Sequence, residues 1–195
     1  MNARPDCAST PASGTVRVWD PVVRLFHWTV VIGCMINLLR DDGDIVHRGV
    51  GYVVAGAVAV RLVWGFVGKG HARFAAFVPR PAALRAYLTQ LVHGREARYL
   101  GHNPAGASMM MALMGLLVAV SVTGWMMGLD RFWGNEVLQE VHEWCANAIL
   151  VLATLHVLAA IFESVRHREN LIVSMVSGRK RKPSGTDVDN AADPD

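Results

Sequence analysis

The sequence predicts an all-α fold: a four-helix transmembrane bundle, both termini cytoplasmic, with a short amphipathic helix between helices 2 and 3. Three observations carry this. The 195-residue chain is 52% hydrophobic and only 18% charged, with a mean hydropathy of +0.29, which is too apolar for an ordinary soluble domain. Its apolar residues gather into four blocks of about the 20 residues needed to cross a hydrocarbon core. Those blocks lack the polar stripe that a soluble bundle repeats about every 3.6 residues.

Residues 1–18 form a polar, Pro-, Ser- and Ala-rich flexible lead without the apolar core of a cleaved signal. Helix 1, over 22–39, therefore serves as its own insertion signal. A short acidic loop from Arg40 to Asp44 leads to helix 2 over 46–67, where Gly49 to Gly68 holds a single charge, Arg61. Residues 69–104 connect helices 2 and 3. Pro81 opens an amphipathic segment in which Leu84, Tyr87, Leu88, Leu91 and Val92 share one face beside Arg80 and Arg85. Asn103 is placed to cap helix 3 and Pro104 to start it. Helix 3 covers 105–128 and is free of charge from Ala105 to Met127; helix 4 covers 137–165. The transmembrane domain spans 19–178, and the polar tail over 179–195 is expected to be disordered.

Charge sets the expected orientation. Of the 19 Lys and Arg residues, only Arg40, Arg48 and Arg131 fall in the loops after helices 1 and 3, among seven acidic side chains. All the others lie at the opposite end, which the positive-inside rule places in the cytoplasm. The pI near 9.0 thus reflects helix-flanking anchors and predicts no nucleic-acid partner. The run Arg179-Lys180-Arg181-Lys182 reads as facing anionic lipid, with a binding partner as the alternative. Cys7, Cys34 and Cys145 form no CxxC and no covalent haem motif, and no disulfide is expected among them.

Four of the eight histidines fall inside the helices at two matched depths. His27 opens helix 1 on the cytoplasmic side, and His47 opens helix 2 on the other. Helix 4 carries His142 and then His156. Their spacing is close to four whole turns, so both rings leave nearly one face, about 21 Å apart. His27 then opposes His156, and His47 opposes His142. Haem iron accepts imidazole as an axial ligand, and two imidazoles close its coordination sphere, which suits electron transfer. Facing helices of a bundle are a usual place for such ligands. Arg24 and Arg48, beside His27 and His47, are candidates either to pair with haem propionates or to snorkel to lipid headgroups. Small residues one turn from the ligands (Gly51, Ala146, Ala160) suit either a bulky macrocycle or plain helix packing. His71, His93, His102 and His167 lie in the cytoplasmic segments and read as solvated or capping residues.

The segment Val16-Arg-Val-Trp-Asp-Pro-Val-Val-Arg-Leu-Phe-His-Trp28 resembles the opening of the bacterial cytochrome b-561 and nickel–iron hydrogenase b-type cytochrome family. So do His47-Arg-Gly-Val-Gly51, Gly101-His-Asn-Pro-Ala-Gly106, Val141-His-Glu-Trp144 and Leu155-His156. The resemblance spans about residues 16–182. It implies a membrane protein of the bacterial inner membrane with two b haems held by His27, His47, His142 and His156. It also implies electron transfer between the quinone pool and a redox partner, either a hydrogenase or a c-type cytochrome. Because hydrogenase-type subunits tend to be longer, this chain's length favours a stand-alone cytochrome or a c-type partner. Two other functions stay open: a self-sufficient oxidoreductase that takes electrons from a small molecule such as superoxide to quinone, and a haem-free metal carrier or anchor subunit. Association with a second copy is also open.

Overall fold

The computed structural model describes residues 14–40 and 43–189. The chain runs through β1 (Thr15–Arg17), α1 (Pro21–Leu39), α2 (Ile45–Val67), α3 (Pro81–Val92), α4 (Pro104–Met127), α5 (Glu136–Arg166), α6 (Leu171–Ser177) and β2 (Arg179–Arg181). Helices α1, α2, α4 and α5 are each long and apolar enough to cross a membrane, and the chain is a multi-pass membrane protein. Each begins at a side-chain cap: Asp20, Asp44, Asn103 and Asn135 accept the N–H of a first-turn residue. Pro21 and Pro104 occupy first helical positions, where a missing N–H costs nothing.

The spanning helices pack in chain order, α1 on α2, α2 on α4 and α4 on α5. Val54, Val58, Met114, Leu117 and Ile149 form the buried centre. Gly33 lets α1 approach α2, since a Cβ there would overlap the Val54 side chain. By contrast, α5 makes at most marginal contact with α1 and α2. The bundle is therefore splayed along the line where α5 faces the two helices that carry His27 and His47.

The ends of the domain depart from expectation. The lead and the tail meet as a two-stranded antiparallel ribbon, with Val16 opposite Lys180. We call this the proximal end of the bundle and the opposite end distal. Gly178 ends α6 at φ +79°, in the left-handed region that glycine alone adopts freely. Its carbonyl accepts the N–H groups of Val18 at 2.9 Å and Trp19 at 3.1 Å. Arg24 donates to the carbonyls of Met175 and Val176. Residues 179–189 are thus tied to the bundle rather than disordered, because their polar groups find fixed partners. Residues 1–13 and 190–195 lie outside the described residues, as does Cys7; Cys34 and Cys145 are free thiols.

Ion pairs hold that end together. Arg98 is 5% exposed and binds Glu169 at 2.8 Å and Asp187 at 2.6 Å. It also donates to the Arg181 carbonyl at 2.9 Å. Glu96 pairs with Arg166 at 2.7 Å, and that guanidinium holds its carboxyl below the usual glutamate range. Lys180 does not face lipid: it is 5% exposed, with its ammonium 5.2 Å above the Trp19 ring, and burial lowers it to about 8. On α3, Tyr87 points inward and donates to Glu163 at 2.8 Å. Leu88 and Val92 stay exposed, as a helix lying in a membrane interface requires.

Candidate functional site

The distal site is built from three helices. His47 sits in the first turn of α2, where the Asp44 cap accepts its backbone N–H at 2.7 Å. Its ring faces that of His142 on α5, with centroids 6.3 Å apart and planes 58° from parallel. A metal–imidazole bond of about 2.0–2.1 Å, plus about 1.2 Å from nitrogen to ring centre, spans about 6.4 Å across two axial imidazoles. The observed separation fits that requirement.

Hydrogen bonding fixes which nitrogens face each other. His47 Nδ1 lies 2.6 Å from the Arg40 carbonyl oxygen. A carbonyl only accepts, so Nδ1 carries the proton and, in the neutral ring, Nε2 keeps its lone pair. His142 Nδ1 lies 2.9 Å from Thr123 Oγ1. That hydroxyl donates to the carbonyl of Ala119 at 2.9 Å, sharing its proton with that of Val120 at 3.1 Å. Its oxygen is left to accept from His142 Nδ1–H. Both rings are thus held in the tautomer that offers Nε2 to a metal, the usual outer-shell arrangement for ligating histidines. Gly124, next to Thr123, permits the close approach of α4, because a Cβ there would lie 3.1 Å from His142 Cε1. Arg48 lies beside His47, with its guanidinium near the end of α4 at Gly128.

At the proximal level, His27 on α1 and His156 on α5 are close enough to interact electrostatically. The His27 ring stands edge-on to Trp28 at 5.1 Å, and its Nδ1 has no hydrogen-bond partner among the described residues. An orphaned, half-buried ring nitrogen, on a helix held apart from the one it faces, suits a macrocycle between them. The paired rings, one from each of two facing helices, suit a metal that brings further ligands of its own.

The remaining histidines are more structured than solvated residues would be. His93 Nδ1 caps the end of α3 at the Thr89 carbonyl, as expected. His71 pairs with Asp189 at 3.0 Å and His167 with Glu163 at 3.1 Å. His102 is packed between Trp19, at 4.8 Å, and Phe77, at 5.1 Å. Burial, reinforced by the Lys180 ammonium, lowers its imidazole to about 3. Thr123 did not stand out in the sequence, because Ser108 and Ser121 offer hydroxyls on the same helix.

The profile of the prokaryotic cytochrome b561 family matches residues 18–178. The chain belongs to this family. It is a membrane b-type cytochrome of electron transfer, and haem b is its cofactor. The b561 chain is similar to a probable Ni/Fe-hydrogenase B-type cytochrome subunit of Bradyrhizobium diazoefficiens, at 27% identity over 92% of this chain and 95% of that protein. A probable Ni/Fe-hydrogenase B-type cytochrome subunit of Azotobacter vinelandii is 29% identical over 84% of this chain and 87% of its own length. For Escherichia coli strain K12, a probable Ni/Fe-hydrogenase 1 B-type cytochrome subunit is 21% identical, covering 86% and 92% respectively. No solved structure matches.

Proposed function

We propose that this b561 chain carries two b haems, one between His47 and His142 and one between His27 and His156. It would pass electrons between the quinone pool and a hydrogenase. The facing rings of His47 and His142, with both Nδ1 atoms engaged, carry this reading. The step of about four turns from His142 to His156 supports a second level about 21 Å away along the same helix. When bound, haem iron supplies the one-electron redox change. The chain's residues set ligand orientation, hold the rings apart and exclude water. Arg48, whose guanidinium lies near Gly128 at the end of α4, is the candidate partner for the distal haem's carboxylates.

The charge bias puts the proximal end, with both chain ends, in the cytoplasm. The names of the relatives favour a hydrogenase as partner over a c-type cytochrome, although the chain's length alone pointed the other way. The reduced-minus-oxidised absorption spectrum of detergent-purified protein, with its haem-to-protein ratio, tests this reading. A b-type signal at about two haems per chain is expected; a colourless protein made with ample haem overturns it.

Thr123→Val keeps the shape of α4 and removes the acceptor for His142 Nδ1. Loss of such an outer-shell partner costs roughly 10–100-fold in metal affinity. Distal haem occupancy should therefore fall in haem-limited titrations while proximal occupancy holds. Equal loss at both levels would count against the assignment.

A further inference from the structure

Arg61 is the most buried charged residue among the described ones, at 1% exposed. Neither its Nη1 nor its Nη2 has a hydrogen-bond partner among those residues. An isolated cation in a low-dielectric interior is costly unless it is paired, so its place in the fold needs an explanation.

Its level in the bundle supplies one. Arg61 follows His47 on α2 at the same spacing by which His156 follows His142 on α5. Both helices run in the same direction, and His47 faces His142 at 6.3 Å. Equal steps of about 21 Å bring Arg61 to the level of His156, and about 1,400° of rotation returns it close to the face that carries His47. The guanidinium carbon lies 4.9 Å over the Phe74 ring, and Gly65 one turn on makes room for that ring, since a Cβ there would overlap it. Asp20 and His102 are close enough to interact with it electrostatically. Asp20, however, caps α1 by accepting the Val22 N–H at 2.7 Å, and it makes no hydrogen bond to the Arg61 fork. A planar fork with both terminal nitrogens unused is a receptor for a bidentate anion.

We propose that Arg61 binds a propionate carboxylate of the proximal haem. Helix α2 then serves both cofactors, through an axial imidazole at the distal level and an anion clamp at the proximal one. Arg24, the arginine nearest His27 in sequence, instead donates through Nε and Nη2 to the carbonyls of Met175 and Val176. The inference rests on the two-haem reading, and its test separates the two.

The experiment is a haem count and a potentiometric titration of purified wild-type and Arg61→Gln protein. R61Q is expected to lose most of the proximal haem. Where haem is retained, its reduction equilibrium should fall about tenfold, ~59 mV for a one-electron couple, because the reduced state carries the extra negative charge. The distal haem should be unchanged. A wild-type chain without a second haem would sink the two-haem reading. Two haems in both proteins, at unchanged potentials, would overturn the Arg61 assignment alone. Loss of bound lipid phosphate from R61Q, with both haems unaltered, would identify the anion as a headgroup and equally overturn it. Should R61Q not fold, His142→Ala protein lacking haem, which keeps only the proximal site, can be loaded with haem or with its dimethyl ester. The ester should bind at least tenfold more weakly; equal binding refutes the clamp.

Discussion

His142→Ala should remove one haem and leave the other, taking the haem-to-protein ratio from about two to about one. On the proposed ligand assignment, truncation removes one of the two imidazoles of the distal pair and leaves His47 without its facing ring. The surviving pair lies about 21 Å along α5, well beyond the roughly 7–10 Å within which substitutions usually couple. His47→Ala should give the same spectrum, and the double variant should be no worse than either single one, because in the proposed site the two rings serve one iron. His156→Ala and His27→Ala should delete the complementary signal. Spectroelectrochemistry of the four variants checks this: each should retain a single potential, and the two classes should retain different ones. Loss of both haems from every variant would mean that the pairs are not independent sites.

The second large effect lies far from the histidines. Arg98→Ala leaves Glu169 and Asp187 facing one another with their cation gone, and their side chains are only 10% and 11% exposed. Removing one partner of a buried ion pair costs about 3–5 kcal/mol, since the remaining charge keeps its desolvation penalty. For a chain of this size that corresponds to a drop in Tm of roughly 6–20 °C. Thermal unfolding of the detergent-solubilised protein, followed by circular dichroism, measures it. Arg98→Met, combined with Glu169→Gln and Asp187→Asn, should recover part of the loss, because no net charge is then left buried. A variant as stable as the parent would mean that solvent reaches the cluster freely.

The spanning helices were legible almost to the residue. Apolar blocks of the right length, opened by Asp20-Pro21, Asp44, Asn103-Pro104 and Asn135, carry their own start signals. The distal pair was legible too, because a helical repeat is rigid and converts residue spacing into depth. What escaped were the contacts made outside the spanning helices, where loops and chain ends meet partners remote in sequence. Lys180 looked like a lipid-facing charge within a basic run, yet it is buried over Trp19, at the other end of the chain. Residues 179–189 have the composition of a disordered tail, and composition alone does not reveal that Arg98 and Glu169 await them. His102 sits in a polar turn, where a solvated ring is the ordinary outcome; its aromatic neighbours come from two other segments. Arg61 was visible as a lone charge, but only the pairing of His47 with His142 gave it a level.

Besides the packing of α1 on α2, α2 on α4 and α4 on α5, the ribbon, the Gly178 carbonyl and Arg24 tie the end of α1 to the segment that follows α5, while α1 and α5 barely touch within the span. This has a bearing on biogenesis. As the chain emerges from the ribosome, α1 enters the bilayer with no α5 to face, and the residues that tie its end are translated last. The distal pair is complete once His142 has been inserted, whereas the proximal pair is locked only after Gly178 and β2 have formed. On the two-haem proposal, cofactor loading then acquires an order, distal before proximal, and a nascent chain stalled before residue 178 should hold the first haem more firmly than the second.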